Sequence, residues 1–185
     1  MGATKIMLIR HAEKPVEAGP FGVSVSGHED RRNLTVRGWQ RAGALVALFG
    51  PDRVRRSAPL LSVPTAIFAS RPTANSVRPL HTVEPLAQFL AIGIDVSYGN
   101  DEEAGLAASA AATDGVVLIS WKRDGLPKLG YLLAGSETAC PPLWPEDRFD
   151  IVWVFDRPNH AAGWRFTQVP QLLLPGDHAE PIPAA

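Results

Sequence analysis

The stretch LIRHAEKP, residues 8 to 15, places an imidazole directly after a guanidinium where the apolar run Ile6, Met7, Leu8, Ile9 ends. A neutral imidazole is a competent nucleophile near pH 7, although a lone histidine at such a place is more often a structural residue bonded to a loop carbonyl. Arg10 alters the balance. Arginine is rarely brought to the edge of a core without an anion to meet, and its forked donors match phosphate oxygens. Arg78, just before Pro79, is a second such position, where side-chain charge and the free N–H groups of a beginning helix converge on one oxyanion. Taken alone, Arg78 would be a surface arginine paired with Glu84 or another carboxylate. Release of an alkoxide also needs a proton, for which Glu13, Glu84, Asp101, Glu102 and Glu103 are the candidate acids.

Other chemistries find less support. His28, His81, His160 and His178 lack metal-ligand spacing, and there is no Walker loop, G-x-S-x-G elbow or dinucleotide fingerprint, so no metal or cofactor is expected. His81 reads as structural or peripheral. The single cysteine, Cys140, rules out an internal disulfide and a cysteine-based zinc site, which makes a reduced, cytoplasmic setting the simplest expectation.

The elements that must position these residues follow from periodicity. Residues 6–9 read as a strand buried on both faces, and in an open α/β sheet the ends of such strands form the ligand crevice. A Gly- and Pro-rich loop, 15–34, follows. Thr35 caps a helix to about Phe49 whose Trp39, Ala42, Val46 and Phe49 should lie on the sheet. Strands are expected at 66–70, 94–98 and 115–120. Helices are expected after Pro79, interrupted near Glu84 by Pro85, and at 101–112 and 126–135. Residues 150–156 and 164–174 alternate as an edge hairpin around the turn-rich RPNHAAG, and the proline-rich 175–185 should be an extended C-terminal arm.

Alternating strands and helices predict a three-layer α/β/α sandwich with a mostly parallel central sheet and an antiparallel edge. With 185 residues, 45% of them hydrophobic and 20% charged, and a formal net charge of −1, the chain suits a single domain, 1–185. Nothing global in the composition points to nucleic acid or a membrane as a partner. The oligomeric state is not encoded in any feature of the sequence.

The ordered set LIRHAEKP, LTVRGWQRAGALVALF, IFAS, VRPLHTVEPLA, VVLISW and LPKL, spanning most of residues 5–133, resembles the histidine phosphatase superfamily, the phosphoglycerate mutase-like proteins. The resemblance implies a phosphatase-like hydrolysis of a small-molecule phosphate ester: His11 attacks phosphorus, Arg10 and Arg78 hold the phosphoryl oxygens, and water hydrolyses the phosphohistidine. The family's usual spacing of its acid beyond the second arginine favours Glu102 or Glu103, residues that would otherwise simply cap a helix.

One departure matters. Where family members carry a second histidine, just after the strand corresponding to VVLISW, this chain reads WKRDGLP and places Arg123. A guanidinium stabilises a phosphoryl oxygen, yet it is longer than imidazole and cannot share a proton. Two readings therefore stand: a phosphatase in which Arg123 serves as a third phosphate-binding group, or a catalytically impaired protein of the same fold that binds phospho-ligands or other anions.

Overall fold

The structure, a computed structural model, describes residues 2–51, 60–157 and 163–184. Its six strands are β1 (Ala3–Arg10), β2 (Ala66–Ala69), β3 (Ile94–Asp95), β4 (Gly115–Trp121), β5 (Ile151–Asp156) and β6 (Arg165–Pro170). They form one sheet in the order β3-β2-β4-β1-β5-β6. The first four in that order run parallel, while β5 is antiparallel to β1 and β6 to β5. The helices are α1 (Val36–Phe49), α2 (Arg78–Leu90), α3 (Glu103–Ala112) and α4 (Leu126–Ala134), the last preceded by a single 3₁₀ turn, Arg123–Gly125.

Alternation along the strands sorts the core into two layers. Ile6 and Leu8, with Val117, Ile119, Trp121, Ile151, Trp153 and Phe155, pack beneath Leu106 and Ala110 of α3 and Leu126 and Leu129 of α4. Met7, Ile9, Leu118, Val152 and Val154 face Leu45, Leu48 and Phe49 of α1 and Val83 and Leu86 of α2. This is the three-layer α/β/α sandwich with an antiparallel edge that the pattern predicts.

Several local expectations shift. The α2 helix runs unbroken through Pro85. The missing Pro85 amide costs a helix about 3 kcal/mol, but full burial of Val83, Leu86 and Ala87 returns roughly 1.5–3 kcal/mol for each larger side chain. On α1 the buried stripe is Arg41, Ala42, Leu45, Leu48 and Phe49, so Trp39 and Val46 lie at its margin. The strand expected at 94–98 shrinks to Ile94–Asp95, because its neighbour at the sheet edge, β2, has only four residues. The α3 helix begins at Glu103, after Asp101 takes a positive φ of 64°. The second hairpin strand stops at Pro170, and most of the turn expected between β5 and β6 lies outside the described residues.

The described residues after β6, 171–184, form neither helix nor strand, yet they are packed down. Gln171 N donates to Asp150 O, Ile182 is 2% exposed within the α3/α4-side core, and Asp177 meets Arg41.

Candidate active site

The site forms where β1 and β4 end side by side. His11 N donates to Trp121 O at 2.9 Å, carrying the parallel ladder one residue past Arg10. The next amide, Ala12 N, donates to Thr82 Oγ1 at 2.9 Å, and that hydroxyl donates to Arg78 O at 2.8 Å. Thr82 is fully buried and so ties the residue after the imidazole to the first turn of α2. Its one sequence signal is its position one helical turn beyond Arg78.

His11 is 6% exposed. Its Nδ1 lies 2.8 Å from Ala12 O, and a carbonyl only accepts, so Nδ1 carries the proton and Nε2 keeps its lone pair. Burial pushes the imidazole pKa down to about 3, the Ala12 carbonyl opposes this, and the charges of Arg10, Arg78 and Lys14 lower it further. The ring is therefore neutral at physiological pH, in the tautomer a nucleophile requires.

Two arginines flank it in the same manner. Arg10, 1% exposed, donates through Nη1 to the carbonyls of Pro145, Glu146 and Arg148 at 3.1, 2.6 and 3.1 Å, and its guanidinium lies 3.8 Å from the Phe149 ring centroid. Arg78 donates through Nη1 to the carbonyls of Arg31 and Arg32 at 3.0 and 3.3 Å. In both, Nε is buried without a partner among the described residues, and Ser120 Oγ, near the end of β4, is also unpartnered. A buried unsatisfied donor costs about 1–3 kcal/mol, and Arg157 Nε, at the opposite end of the sheet, is a fourth such atom among the described residues. Burial lowers both guanidinium pKa values, Arg10 to about 10 with a further contribution from Arg123, while Asp30 partly offsets the effect on Arg78.

Arg123 lies close enough to lower the pKa of Arg10, but its Nε is 2.7 Å from Asp124 Oδ1 and its Nη1 3.4 Å from Glu146 Oε1. These carboxylates raise its own pKa, the Asp124 hydrogen bond most. Glu103 is buried, accepts from Trp121 Nε1 at 3.2 Å and from Lys128 Nζ at 3.0 Å, and so hangs from the last residue of β4. Burial would raise its carboxyl pKa, but those two donors outweigh burial and hold it below the ordinary range. A side chain at Gly125 would intrude on this arrangement, since a Cβ there would stand 2.5 Å from Trp121 Nε1 and 2.8 Å from Glu103 Oε1. Glu102 is engaged differently, accepting from Gly99 N at 2.6 Å and pairing with Arg71 at 3.3 Å.

Glu13 is occupied elsewhere. Its carboxylate takes both Arg41 Nε contacts at 3.1 Å, and Arg41 Nη2 bonds Asp177 Oδ1 at 2.7 Å. His81 bonds Asn33 through Nδ1 and stacks near Trp39, at the periphery. Sequence reasoning misses Lys14, Phe149 and Thr82. Lys14 belongs to the same LIRHAEKP stretch, whereas Phe149 has no signal of its own.

Two clefts meet at Lys14 and Val16. One, of about 370 Å³, runs past Arg78, Arg31 and Asn75; the other, of about 410 Å³, runs past Pro20, Thr35 and Phe149. Among the described residues no group of three or more His, Cys, Asp or Glu is placed to hold a metal ion, and no helix is long and apolar enough to cross a membrane.

No family model and no curated protein matches the sequence. Solved structures do match. A candidate phosphohistidine phosphatase, SixA, of Agrobacterium tumefaciens is 20% identical, with a TM-score of 0.53 over 90% of this chain and 96% of that one. The mycobacterial glucosyl-3-phosphoglycerate phosphatase, solved with VO3, is 13% identical, with a TM-score of 0.54 over 89% and 97%. The chain has the phosphoglycerate mutase-like fold of the histidine phosphatases. At these identities the likeness speaks for the fold, and within this fold Arg10 and His11 stand at the carboxyl end of β1, where α/β sheets place their ligands, with Arg78 at the start of α2.

Proposed function

We propose that the protein is a member of the histidine phosphatase superfamily that hydrolyses a phosphate monoester through a phosphohistidine on His11. The observation that carries this reading is a neutral imidazole, its lone pair on Nε2, in the field of Arg10 and Arg78, two guanidiniums each fixed through Nη1 on loop carbonyls. The Nε2 lone pair attacks phosphorus, the bond to the ester oxygen breaks, and the leaving oxygen takes a proton. Water then adds to phosphorus, the P–N bond breaks, and inorganic phosphate and neutral imidazole are regenerated. The arginines, already held by backbone carbonyls, meet the growing charge on the phosphoryl oxygens without rearranging. Arg123 adds a third positive charge on the Arg10 side.

Of the two acid candidates at the start of α3, Glu103 is held ionised by Lys128 and Trp121, and Glu102 is paired with Arg71.

The test is turnover of an aryl phosphate by the wild type, His11→Ala and Arg123→His. Loss of turnover in His11→Ala supports covalent catalysis. The second reading, an anion-binding protein with impaired catalysis, is favoured by the engagement of Arg123 with Asp124 and Glu146 in place of an imidazole. It predicts turnover only in Arg123→His, with phosphate binding in the wild type.

A further inference from the structure

We propose that the substrate carries a second anionic group, a carboxylate or a further phosphoryl, seated by Arg31 and Lys14 beyond the reacting phosphoryl group. The inference rests on the phosphohydrolase reading and names the substrate class of that same site. The 370 Å³ cleft that contains Arg78 is also lined by Lys14 and Arg31, against one carboxylate, Glu17. Its volume suits a small metabolite.

The positive charge is graded from the imidazole outward. Arg78 and Lys14 both act electrostatically on the His11 ring, which places them at the inner end. Arg31 is exposed, and no carboxylate lies within ion-pair distance of it among the described residues. Its backbone is nevertheless fixed beside the clamp, because its carbonyl holds Arg78 Nη1 at 3.0 Å. Lys14 Nζ is 3.2 Å from Glu146 Oε1, an exposed pair of a kind that contributes little and that an incoming anion displaces readily. A neutral tail would leave both cations unused. An apolar tail would instead favour the neighbouring cleft along Val16, Pro20 and Phe149.

Four phosphonates without a scissile ester, phenylphosphonate among them as the probe with an apolar tail, test this by calorimetric titration of the full chain. Methylphosphonate reports the phosphoryl seat alone, while phosphonoacetate and methylenediphosphonate add a carboxylate or a second phosphoryl. Whichever of the two carries the matching group is expected to bind about tenfold more tightly than methylphosphonate at about 50 mM salt. Arg31→Ala should reduce that ratio to about twofold or less, while Arg165→Ala, which removes an exposed arginine on β6, should preserve it. Equal affinities in the wild type, a ratio indifferent to Arg31→Ala, or a preference for phenylphosphonate over both probes with a second anionic group overturns the inference and leaves the phosphohydrolase reading standing. Absence of methylphosphonate binding overturns that reading, and this inference with it.

Discussion

Thr82 Oγ1 accepts the amide of Ala12 at 2.9 Å and thereby fastens the residue after the imidazole to the helix that begins at Arg78. Valine is nearly isosteric with threonine but offers no acceptor, so Thr82→Val leaves a buried N–H unpaired. Chemical denaturation should show a loss of about 1–3 kcal/mol. Phosphate affinity should fall as well, because His11 and Arg78 lose their common fastening, and Thr82→Ser should restore both.

The depressed pKa of His11 makes stability depend on pH with a definite sign. Folded His11 titrates at about 3 against an ordinary 6.5, so between those values the unfolded chain binds a proton that the folded chain does not, and stability falls as pH falls. Each step of one in pH across that window removes about 1.36 kcal/mol, so the loss attributable to this one ring approaches about 5 kcal/mol at its acid end. Denaturation of wild type and His11→Gln across the window should show a shallower slope for the variant. Added phosphate, which neutralises the flanking arginines, should reduce the wild-type slope.

The acid candidates bear on leaving groups. Since Glu103 is held ionised by Lys128 and Trp121, it has no proton ready to give. Turnover should therefore rise steeply with the acidity of the leaving alcohol, and aryl phosphates should exceed alkyl phosphates by about 100-fold or more, the usual worth of a general acid. Glu103→Gln is expected to leave aryl phosphate turnover within about threefold, while removing a charge-assisted bond worth about 1.5–3 kcal/mol to stability. Initial rates over a graded set of phenyl phosphates measure the first effect, and denaturant midpoints the second.

Arg41 and Asp177, each 3% exposed in its side chain, form a buried pair at 2.7 Å, with Glu13 on the same guanidinium. Asp177 also accepts the amides of Leu173 and Leu174, so it shapes the chain after β6 as well as neutralising Arg41. Breaking a buried pair usually costs about 3–5 kcal/mol, and with Glu13 still in place Asp177→Asn should cost about 2–3 kcal/mol. Thermal and denaturant unfolding of the variant measure this.

Much of the architecture was legible because it is written in side chains. The alternation of β1, β4 and β5 fixed which residues share a core, and Arg10 and His11 follow from the end of β1 while Arg78 follows from the helix start at Pro79. What could not be read is what holds them. The acceptors for both guanidiniums are main-chain carbonyls, which every residue type carries and none advertises. Glu13 looked like a free acid because its partners, Arg37 and Arg41, lie 24 and 28 positions away in the chain. The break expected at Pro85 failed because local propensity was outweighed by burial of the helix against the sheet. The tail looked loose because its few polar contacts, such as Arg148 Nη2 to Glu180 O, have no periodic signature.

Anchoring each guanidinium by Nη1 to loop carbonyls has a consequence for how far this chain can change. The seat is indifferent to side-chain identity at positions 31, 32, 145, 146 and 148, provided the loops keep their path. Of these, Arg31 and Glu146 border the clefts through which a ligand would enter, so the rim at those two positions is free to diversify while the grip on phosphorus stays constant. A library randomised there would explore new ligands on an unaltered catalytic chassis.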